Sequence, residues 1–348
     1  MDTVPLLCLL AVFVVLAFNY TNGFHDAANI IATVIASRAM TPIQAVVVVS
    51  VFEFLGPLLG GTAVADTIGH FITLSDLPAH LSLTVILSGL AGAIFWNLAT
   101  WRLGIPSSSS HALIGGLIGA VVLAVGTDHV AWGFHELAHG HFTGVTKVIL
   151  ALVLSPVLGY FVGYLFHTVM RYAVRATHPR INRHLRLGQY LTAALLAFSH
   201  GANDAQKSLG ILTLVLLLGG FIPRFEVPFW VILACAVTMT LGILSGGWRI
   251  VRTLGFAIYK VRPLHALDSQ LTSAGVILTA SLIGAPVSTT HVVATAIMGI
   301  GASERPRDVR WSKAREIVTA WLLTIPAAAL VGAIVYALIF TILQRGLP

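Results

Sequence analysis

The sequence predicts an all-α polytopic membrane protein made of two inverted-topology repeats, with about 10–12 transmembrane helices, some of them broken or discontinuous. Three observations lead to this fold class. Of the 348 residues, 57% are hydrophobic and only 9% are charged. Two different polar motifs each occur twice, in the same order. The basic residues are clustered in loops that give the two copies opposite orientations in a bilayer.

The composition excludes an ordinary soluble domain, in which about 25% of residues are charged. Mean hydropathy is +0.91. The apolar segments are continuous and do not alternate, so they indicate helices and not a barrel. The amino terminus lacks the basic start of a signal peptide, so we interpret its apolar run as a retained span. The main apolar runs are Val4–Phe18, Leu81–Leu98, Leu113–Val125, Val145–Val169, Val227–Leu244 and Ile317–Leu343.

The repeated motifs indicate an internal duplication. Asn22–Asn29 reads NGFHDAAN and Ser199–Lys207 reads SHGANDAQK, which aligns Asp26 with Asp204. Downstream, GIPSSSSH ends at His111 and GAPVSTTH ends at His291, 85 and 87 residues after the respective aspartates. This spacing predicts a repeat of roughly 170 residues. We assign residues 1–170 to the first repeat, 171–187 to a basic cytoplasmic linker and 188–348 to the second repeat.

The basic loops set the orientation of each repeat. The positive-inside rule places Arg38, Arg102 and the linker in the cytoplasm, together with the loops 249–262 and 304–315. The amino and carboxyl termini are then predicted outside, with about five crossings per repeat and the second repeat inverted. This arrangement is typical of secondary transporters, whose substrate site lies at the repeat interface near the membrane midplane. Nucleic-acid binding is not needed to explain the charge.

The second motif has the composition of a helix start. A proline at 106 or 286 is followed by hydroxyl residues and then by an apolar run. Backbone N–H groups and the positive end of the helix dipole favour an anion at such a terminus. Two of them, brought face to face by the inverted repeat, would hold a tetrahedral oxyanion; ordinary capping is the alternative. The candidate substrate-binding residues are Ser107, Ser108, Ser109, Ser110, Ser288, Thr289, Thr290 and Lys207.

The first motif places carboxylates and amides inside apolar runs. Residues 4–37 would extend about 50 Å as one straight helix, against a hydrocarbon core of about 30 Å. We therefore expect that the first span breaks at Asn22–Gly23 or continues into a second piece. At a break, side-chain and freed backbone oxygens would bind sodium, or a carboxylate would carry a proton. A structural cap with a buried polar pair is the alternative. The candidate ion-coupling residues are Asn22, Asp26, Asn29, Asn203, Asp204 and Glu53.

Two of these positions have more than one interpretation. Lys207 stands where the first copy has Asn29, and it could pair with Asp204, attract the anion, replace a bound cation or extend towards the membrane surface. Glu53 lies alone in an apolar run and could serve coupling, gating or a structural ion pair. His25, His200, His111 and His291 could carry protons or orient their neighbours.

A further motif points to a different class of protein. His135–His139 reads HELAH, the helical zinc-protease pattern H-E-x-x-H. It lies in a short histidine-rich loop between glycines, whereas a zinc protease needs a helix and a third ligand. A membrane metalloprotease is thus kept only as a distant alternative, and we predict no catalytic residues and no resident metal.

The paired Asn-Asp motifs and the paired Gly-x-Pro-x-Ser-[Ser/Thr]-[Ser/Thr]-His motifs resemble those of the inorganic phosphate transporter (PiT) family, across nearly the whole chain. The resemblance implies phosphate transport with sodium or protons, essential roles for Asp26 and Asp204, and a sensitive role for Glu53. Some family members carry sulfate, and bacterial members can carry phosphate as a complex with a divalent metal. Two positions depart from the pattern of many members: Lys207 replaces Asn, and Gln270 replaces Glu.

From the residues and the resemblance together we expect a bacterial-type phosphate symporter that works by alternating access in the inner membrane. A sulfate transporter on the same scaffold and a passive channel are the alternatives. The expected partners are inorganic phosphate and the lipid bilayer, with no nucleic acid and no cofactor apart from co-transported Na⁺ or H⁺. Whether the chain forms a homodimer is left open.

Overall fold

The computed structural model describes residues 3–346, and within them thirteen α-helices are joined mostly by short loops. An isolated antiparallel bridge joins Ile72 to Val130 in two of the loops. The helices are α1 (Thr3–Ala36), α2 (Pro42–Leu59), α3 (Ala63–Gly69), α4 (Ala79–Leu103), α5 (Ser109–Val125), α6 (Phe134–Ala138), α7 (Gly144–Val174), α8 (Ile181–Leu218), α9 (Phe229–Ser245), α10 (Trp248–Arg252), α11 (Pro263–Leu282), α12 (Thr289–Glu304) and α13 (Trp311–Gly346).

The helix boundaries follow local sequence chemistry. At the start of α2, the Thr41 hydroxyl accepts from the backbone N–H of Gln44, whose side-chain oxygen accepts from the N–H of Thr41. This reciprocal capping, with Pro42 in the first turn, fixes the start of α2. Gly104 and Gly284 turn the chain after α4 and α11 with φ of +68° and +65°. Only glycine adopts that left-handed conformation without strain.

Several helices are long and apolar enough to cross a membrane, which confirms a multi-pass all-α membrane protein. By length and hydropathy they are α1, α2, α4, α7 and α13. A sixth span arises if α9 and the α10 region, bent by 59° at Gly246–Gly247, count as one. α8 has 38 residues but carries the polar residues around Asp204, while α5 and α12 have 17 and 16 residues. The full number of crossings remains a prediction.

The break predicted at Asn22–Gly23 is wrong. α1 continues without interruption through the first motif, and α8 continues through the second. The motif glycines have another role, since a Cβ on Gly23 would lie 2.3 Å from the carbonyl oxygen of Met239. In the same way, a Cβ on Gly201 would lie 2.4 Å from the carbonyl oxygen of Glu53. These glycines allow two helices to approach closely, so neither motif frees backbone oxygens for a cation.

The irregular backbone lies instead at the second motif. Residues 104–108 connect α4 to α5, and residues 284–288 connect α11 to α12. In the first connection the Gly104 carbonyl accepts a hydrogen bond from Thr253, and in the second the Gly284 carbonyl accepts one from Thr67. The donors lie on the π-helical turn after α10 and on the short helix α3.

The two repeats interlock, because equivalent helices make equivalent contacts. α1 packs on α9 as α8 packs on α2; α5 packs on α13 as α12 packs on α7. The last helix of each repeat is thus held by the other repeat. Between the repeats, α7 continues to Val174 and α8 begins at Ile181, so both ends of the predicted 171–187 linker are helical.

Candidate functional site

The motifs converge on one buried polar site where α1 and α8 meet the first turns of α5 and α12. Asp26 and Asp204 are both 1% exposed. The start of each short helix is capped in the same way: the Ser108 Oγ accepts from the N–H of His111, and the Ser288 Oγ accepts from the N–H of His291. Ser108 and Ser288 are therefore capping residues, which is the alternative that we had set beside anion binding.

The next hydroxyls contact the two aspartates, and one of them does so across the repeats. Ser109 donates to Oδ2 of Asp26 at 3.0 Å, and Thr289 donates to Oδ2 of Asp204 at 3.2 Å. Thr290, from the second repeat, donates to Oδ1 of Asp26 at 3.2 Å. Three of the hydroxyls predicted to hold an oxyanion therefore donate to carboxylates in this conformation, and an anion would have to compete for them.

Lys207, from the second repeat, makes the corresponding contact with the helix start of the first repeat. Its Nζ donates to Ser110 Oγ of the first repeat at 2.6 Å, to Asp204 Oδ1 at 2.5 Å and to the Val287 carbonyl at 2.8 Å. Asn29 occupies the equivalent place on α1 and donates to Thr290 at 2.8 Å. Lys207 is only 1% exposed, so it does not extend to the membrane surface.

The polar networks around the two aspartates differ. On α8, His200 Nδ1 lies 2.7 Å from Glu53 Oε1, and His200 Nε2 lies 3.4 Å from Asp204 Oδ2. In the first copy, Asn22 stands four residues before Asp26, as His200 stands four residues before Asp204. Met239 corresponds to Glu53, because Gly23 approaches the Met239 carbonyl as Gly201 approaches the Glu53 carbonyl. Because of this difference, the two titratable groups Glu53 and His200 form a chain to Asp204, and among residues 3–346 no such two-membered chain leads to Asp26.

Asp26 has its own histidine instead. His25 Nδ1 lies 2.8 Å from Asp26 Oδ1, and His25 Nε2 lies 3.2 Å from the Thr100 hydroxyl. One ligand atom each from Asp26, His200 and Asp204 lies within 4.8 Å of the other two. Carboxylates from both repeats therefore converge on a volume that suits a cation, although without the backbone oxygens that we expected.

Several buried polar atoms at the site have no hydrogen-bond partner among the described residues. They include the Oδ1 atoms of Asn29 and Asn203 and Glu53 Oε2. Both amide atoms of Asn22 and Asn97 are also unpaired. An unpaired buried polar atom is unfavourable by about 1–3 kcal/mol, so such atoms mark places where water, an ion or a polar substrate would bind. Asn97, on α4, was not singled out from the sequence because a lone amide in an apolar run gives no pattern.

Ser107 lies apart from the aspartates. Its hydroxyl contacts Thr324 Oγ1 at 3.0 Å and accepts from Trp96 Nε1 at 2.9 Å. Ser107 thus joins α5 to α13. The Asn203 side chain also points elsewhere, because it donates to the Ser281 hydroxyl at 3.0 Å and to the Ala285 carbonyl at 3.2 Å. The Gln270 side chain forms hydrogen bonds with Thr33 and Thr192 and not with the two aspartates.

Comparison with known proteins identifies the family. A family model described as the phosphate transporter family matches residues 22–332. The chain belongs to this family. A relative named "Probable low-affinity inorganic phosphate transporter" from Bacillus subtilis (strain 168) is 40% identical over 338 residues, covering 97% of this chain and 98% of the relative. A protein of the same name from Rhizobium meliloti (strain 1021) is 41% identical over 325 residues, covering 93% of each chain.

A solved structure is also similar. The structure named "The sodium-dependent phosphate transporter" superimposes with a TM-score of 0.83 and 25% identity, and the match covers 97% of this chain and 99% of that one. Family membership and this likeness confirm the resemblance stated from the repeated motifs and the predicted fold class. They also show that the protein is a transporter-family member and not an enzyme.

The metalloprotease alternative is therefore wrong. The HELAH motif forms the short exposed helix α6, with its histidine rings 4.8 Å apart. His139 Nδ1 contacts the carbonyl oxygen of His135 at 2.9 Å, so this nitrogen is already engaged. Among residues 3–346, no third histidine, cysteine or carboxylate joins these two histidines to make a metal-ligand group.

Proposed function

We propose that this membrane protein imports inorganic phosphate by cation symport with alternating access. The observation that carries the proposal is a pair of contacts between the repeats. Thr290 of the second repeat donates to Asp26 of the first, and Lys207 of the second repeat donates to Ser110 of the first. Since each helix start contacts a charged residue of the opposite repeat, a bound ion changes the contacts that hold the repeats together. The names of the bacterial relatives and of the similar solved structure support phosphate as the substrate.

The anion site we propose lies between the first turns of α5 and α12. Backbone N–H groups at a helix start carry partial positive charge and bind oxyanions. The hydroxyls of Ser109, Thr289 and Thr290 can rotate from the carboxylates towards an anion when the carboxylates are neutralised. The Ser110 hydroxyl, which donates to the Val287 carbonyl, can turn towards the same anion. Binding of a cation and binding of the anion would then favour each other, which is what symport needs.

We propose the proton as the coupling ion, with sodium as the alternative. Lys207 Nζ is surrounded by a carboxylate, a hydroxyl and a backbone carbonyl, the oxygen types that sodium sites use. A fixed ammonium group therefore takes the cation position of the second repeat. The Glu53–His200–Asp204 chain offers groups that exchange protons. The similar solved structure is named as sodium-dependent, which supports the alternative.

Phosphate is favoured over sulfate by the position of the carboxylates. Phosphate near neutral pH carries a proton that it can donate to a carboxylate, whereas sulfate carries none. Ser109 and Thr289 bring both aspartates within one hydrogen bond of the proposed anion site. Phosphate bound to a divalent metal could enter the same site. We place the protein in the bacterial inner membrane with both termini outside, as the basic loops predict.

The test is uptake of labelled anion by proteoliposomes that contain the full chain. Phosphate and sulfate are compared under an imposed proton gradient, an imposed sodium gradient and neither. We expect phosphate uptake driven by the proton gradient and not competed by excess sulfate. Uptake of sulfate in preference to phosphate, or gradient-independent flux of both, would contradict the proposal. Uptake driven only by a sodium gradient would support symport but would show that the coupling ion is sodium and not the proton.

A further inference from the structure

A basic pocket lies outside the buried site, below the turn that leads into α5. It has a volume of about 460 Å³ and is lined by the end of α4, by α10 and the π-helical turn, and by the start of α13. Four of its lining residues are cationic: Arg102, Arg249, Arg252 and Lys313. A single lining carboxylate, Glu316, opposes them and pairs with Lys313 at 2.6 Å.

The arginines of this pocket lack carboxylate partners. Within the described part of the chain, the ion pairs of arginine side chains involve Arg224, Arg262 and Arg305, and none involves Arg102, Arg249 or Arg252. The positive-inside rule explains why basic residues lie on this side. It does not explain why cations from three separate segments face one concavity.

Part of the pocket is held in place before any ligand binds. Arg249 Nη1 donates to the backbone carbonyl of Arg102 at 2.7 Å, and its guanidinium carbon lies 5.2 Å from the centre of the Trp101 ring. Thr253 donates to the Gly104 carbonyl at 2.8 Å. A guanidinium group fixed in this way loses little freedom when it binds an oxyanion, and its planar donors match two oxygens at once.

The equivalent place in the other repeat has a different charge. There Thr67 donates to the Gly284 carbonyl at 2.7 Å, and the nearby cation is Lys147, whose Nζ donates to Thr67 at 3.1 Å. The backbone arrangement is repeated, but the cluster of arginines is not. The excess positive charge on one side is therefore a property of this pocket and not of the duplicated scaffold.

We propose that the pocket is a second anion site, distinct from the buried site, which binds a phosphate-class dianion from the side assigned to the cytoplasm. Free inorganic phosphate and the phosphate headgroup of an anionic lipid share this chemistry. The Gly104–Pro106 turn lines the pocket and directly precedes Ser107–Ser110. An anion bound here contacts the segment that forms one half of the buried site, so the two sites are linked through residues 104–110.

The test compares the full-length protein with two charge-matched double variants in phosphatidylcholine nanodiscs. R102Q/R252Q removes two cations of the pocket; R183Q/R186Q removes two exposed cations of α8 outside it. All three are measured in an Asp26→Asn background as well, so that a failure of the proposed transport does not hide binding at the pocket. Binding is followed with labelled inorganic phosphate at low ionic strength, and retention of phosphatidic acid is followed by native mass spectrometry.

We expect R102Q/R252Q to lose about tenfold or more in affinity for one of the two probes, because each arginine contact is charge-assisted. R183Q/R186Q should bind like the parent. Selective loss of inorganic phosphate identifies a free anion as the ligand, and selective loss of phosphatidic acid identifies a lipid headgroup. Equal binding of both probes by R102Q/R252Q and the parent, or equal losses in both double variants, would overturn the proposal.

Discussion

Lys207 lies 2.6 Å from Ser110, and this contact joins a buried ammonium group of the second repeat to a helix start of the first. Its counterpart, Asn29 on Thr290, is neutral. Together with the Glu53–His200 pair beside Asp204, this ammonium group distinguishes the second half of the site from the first. In the proposed symport, a fixed charge at this position would reduce the number of mobile cations that the site needs.

Lys207→Asn should change the ion dependence of uptake. The substitution leaves Asp204 without its cation, and an unpaired buried charge is unfavourable by about 3–5 kcal/mol. We expect uptake under a proton gradient alone to fall by about tenfold or more, with partial recovery when sodium is supplied. The measurement is labelled phosphate uptake in proteoliposomes, with Lys147→Asn as a control. Unchanged ion dependence would show that Lys207 does not occupy a cation position.

Asp26→Asn should abolish phosphate uptake while the protein still folds. The amide can accept hydrogen bonds from Ser109 and Thr290, but it can neither hold a proton nor balance a cation. Asp128→Asn, which changes an exposed carboxylate in a loop, is the matched control and should transport normally. Thermal unfolding in detergent monitors folding. Normal uptake by the Asp26 variant would remove this residue from the coupling site.

The two serines at the start of α5 should respond differently to alanine substitution. Ser108→Ala removes a helix cap and should lower stability by about 1 kcal/mol with little change in apparent phosphate affinity. Ser109→Ala and Thr289→Ala remove hydroxyls that face the carboxylates and the proposed anion. We expect each to raise the KM for phosphate about tenfold. If Ser108→Ala changes KM and Ser109→Ala does not, the anion lies elsewhere.

Gly201→Ala should destabilise the protein more than a typical helix substitution. Its Cβ would lie 2.4 Å from the carbonyl oxygen of Glu53, so α2 and α8 would have to separate. Overpacking of this kind is unfavourable by about 1–3 kcal/mol. Gly275→Ala on α11 is the control, because its Cβ would meet nothing within 4 Å. The comparison is the melting temperature in detergent; equal values would show that the contact can relax.

Much of the fold and site could be predicted from the sequence, because duplication presents the same pattern twice. The alignment of Asp26 with Asp204 and of Asn29 with Lys207 came from the repeat alone, and the structure places both pairs at equivalent positions. The unbroken course of α1 could not be predicted. A glycine beside polar residues has the same sequence signature whether it ends a helix or lets another backbone approach it.

Contacts between distant segments were also beyond sequence reasoning. Glu53 and His200 are 147 residues apart, and no local spacing links them. The crosswise arrangement, in which Thr290 reaches Asp26 and Lys207 reaches Ser110, depends on how two repeats dock. A single sequence carries the periodicity of each helix but not the register between helices of different repeats.

The exchange of α7 and α13 between the repeats has a consequence for biosynthesis. α4 and α5 are synthesised before their packing partner α13, from which α6–α12 separate them along the chain. The first half therefore lacks this packing partner in the membrane until α13 has been inserted. A gene truncated after α7 would produce an incomplete half, which the quality-control proteases of the membrane would be expected to remove.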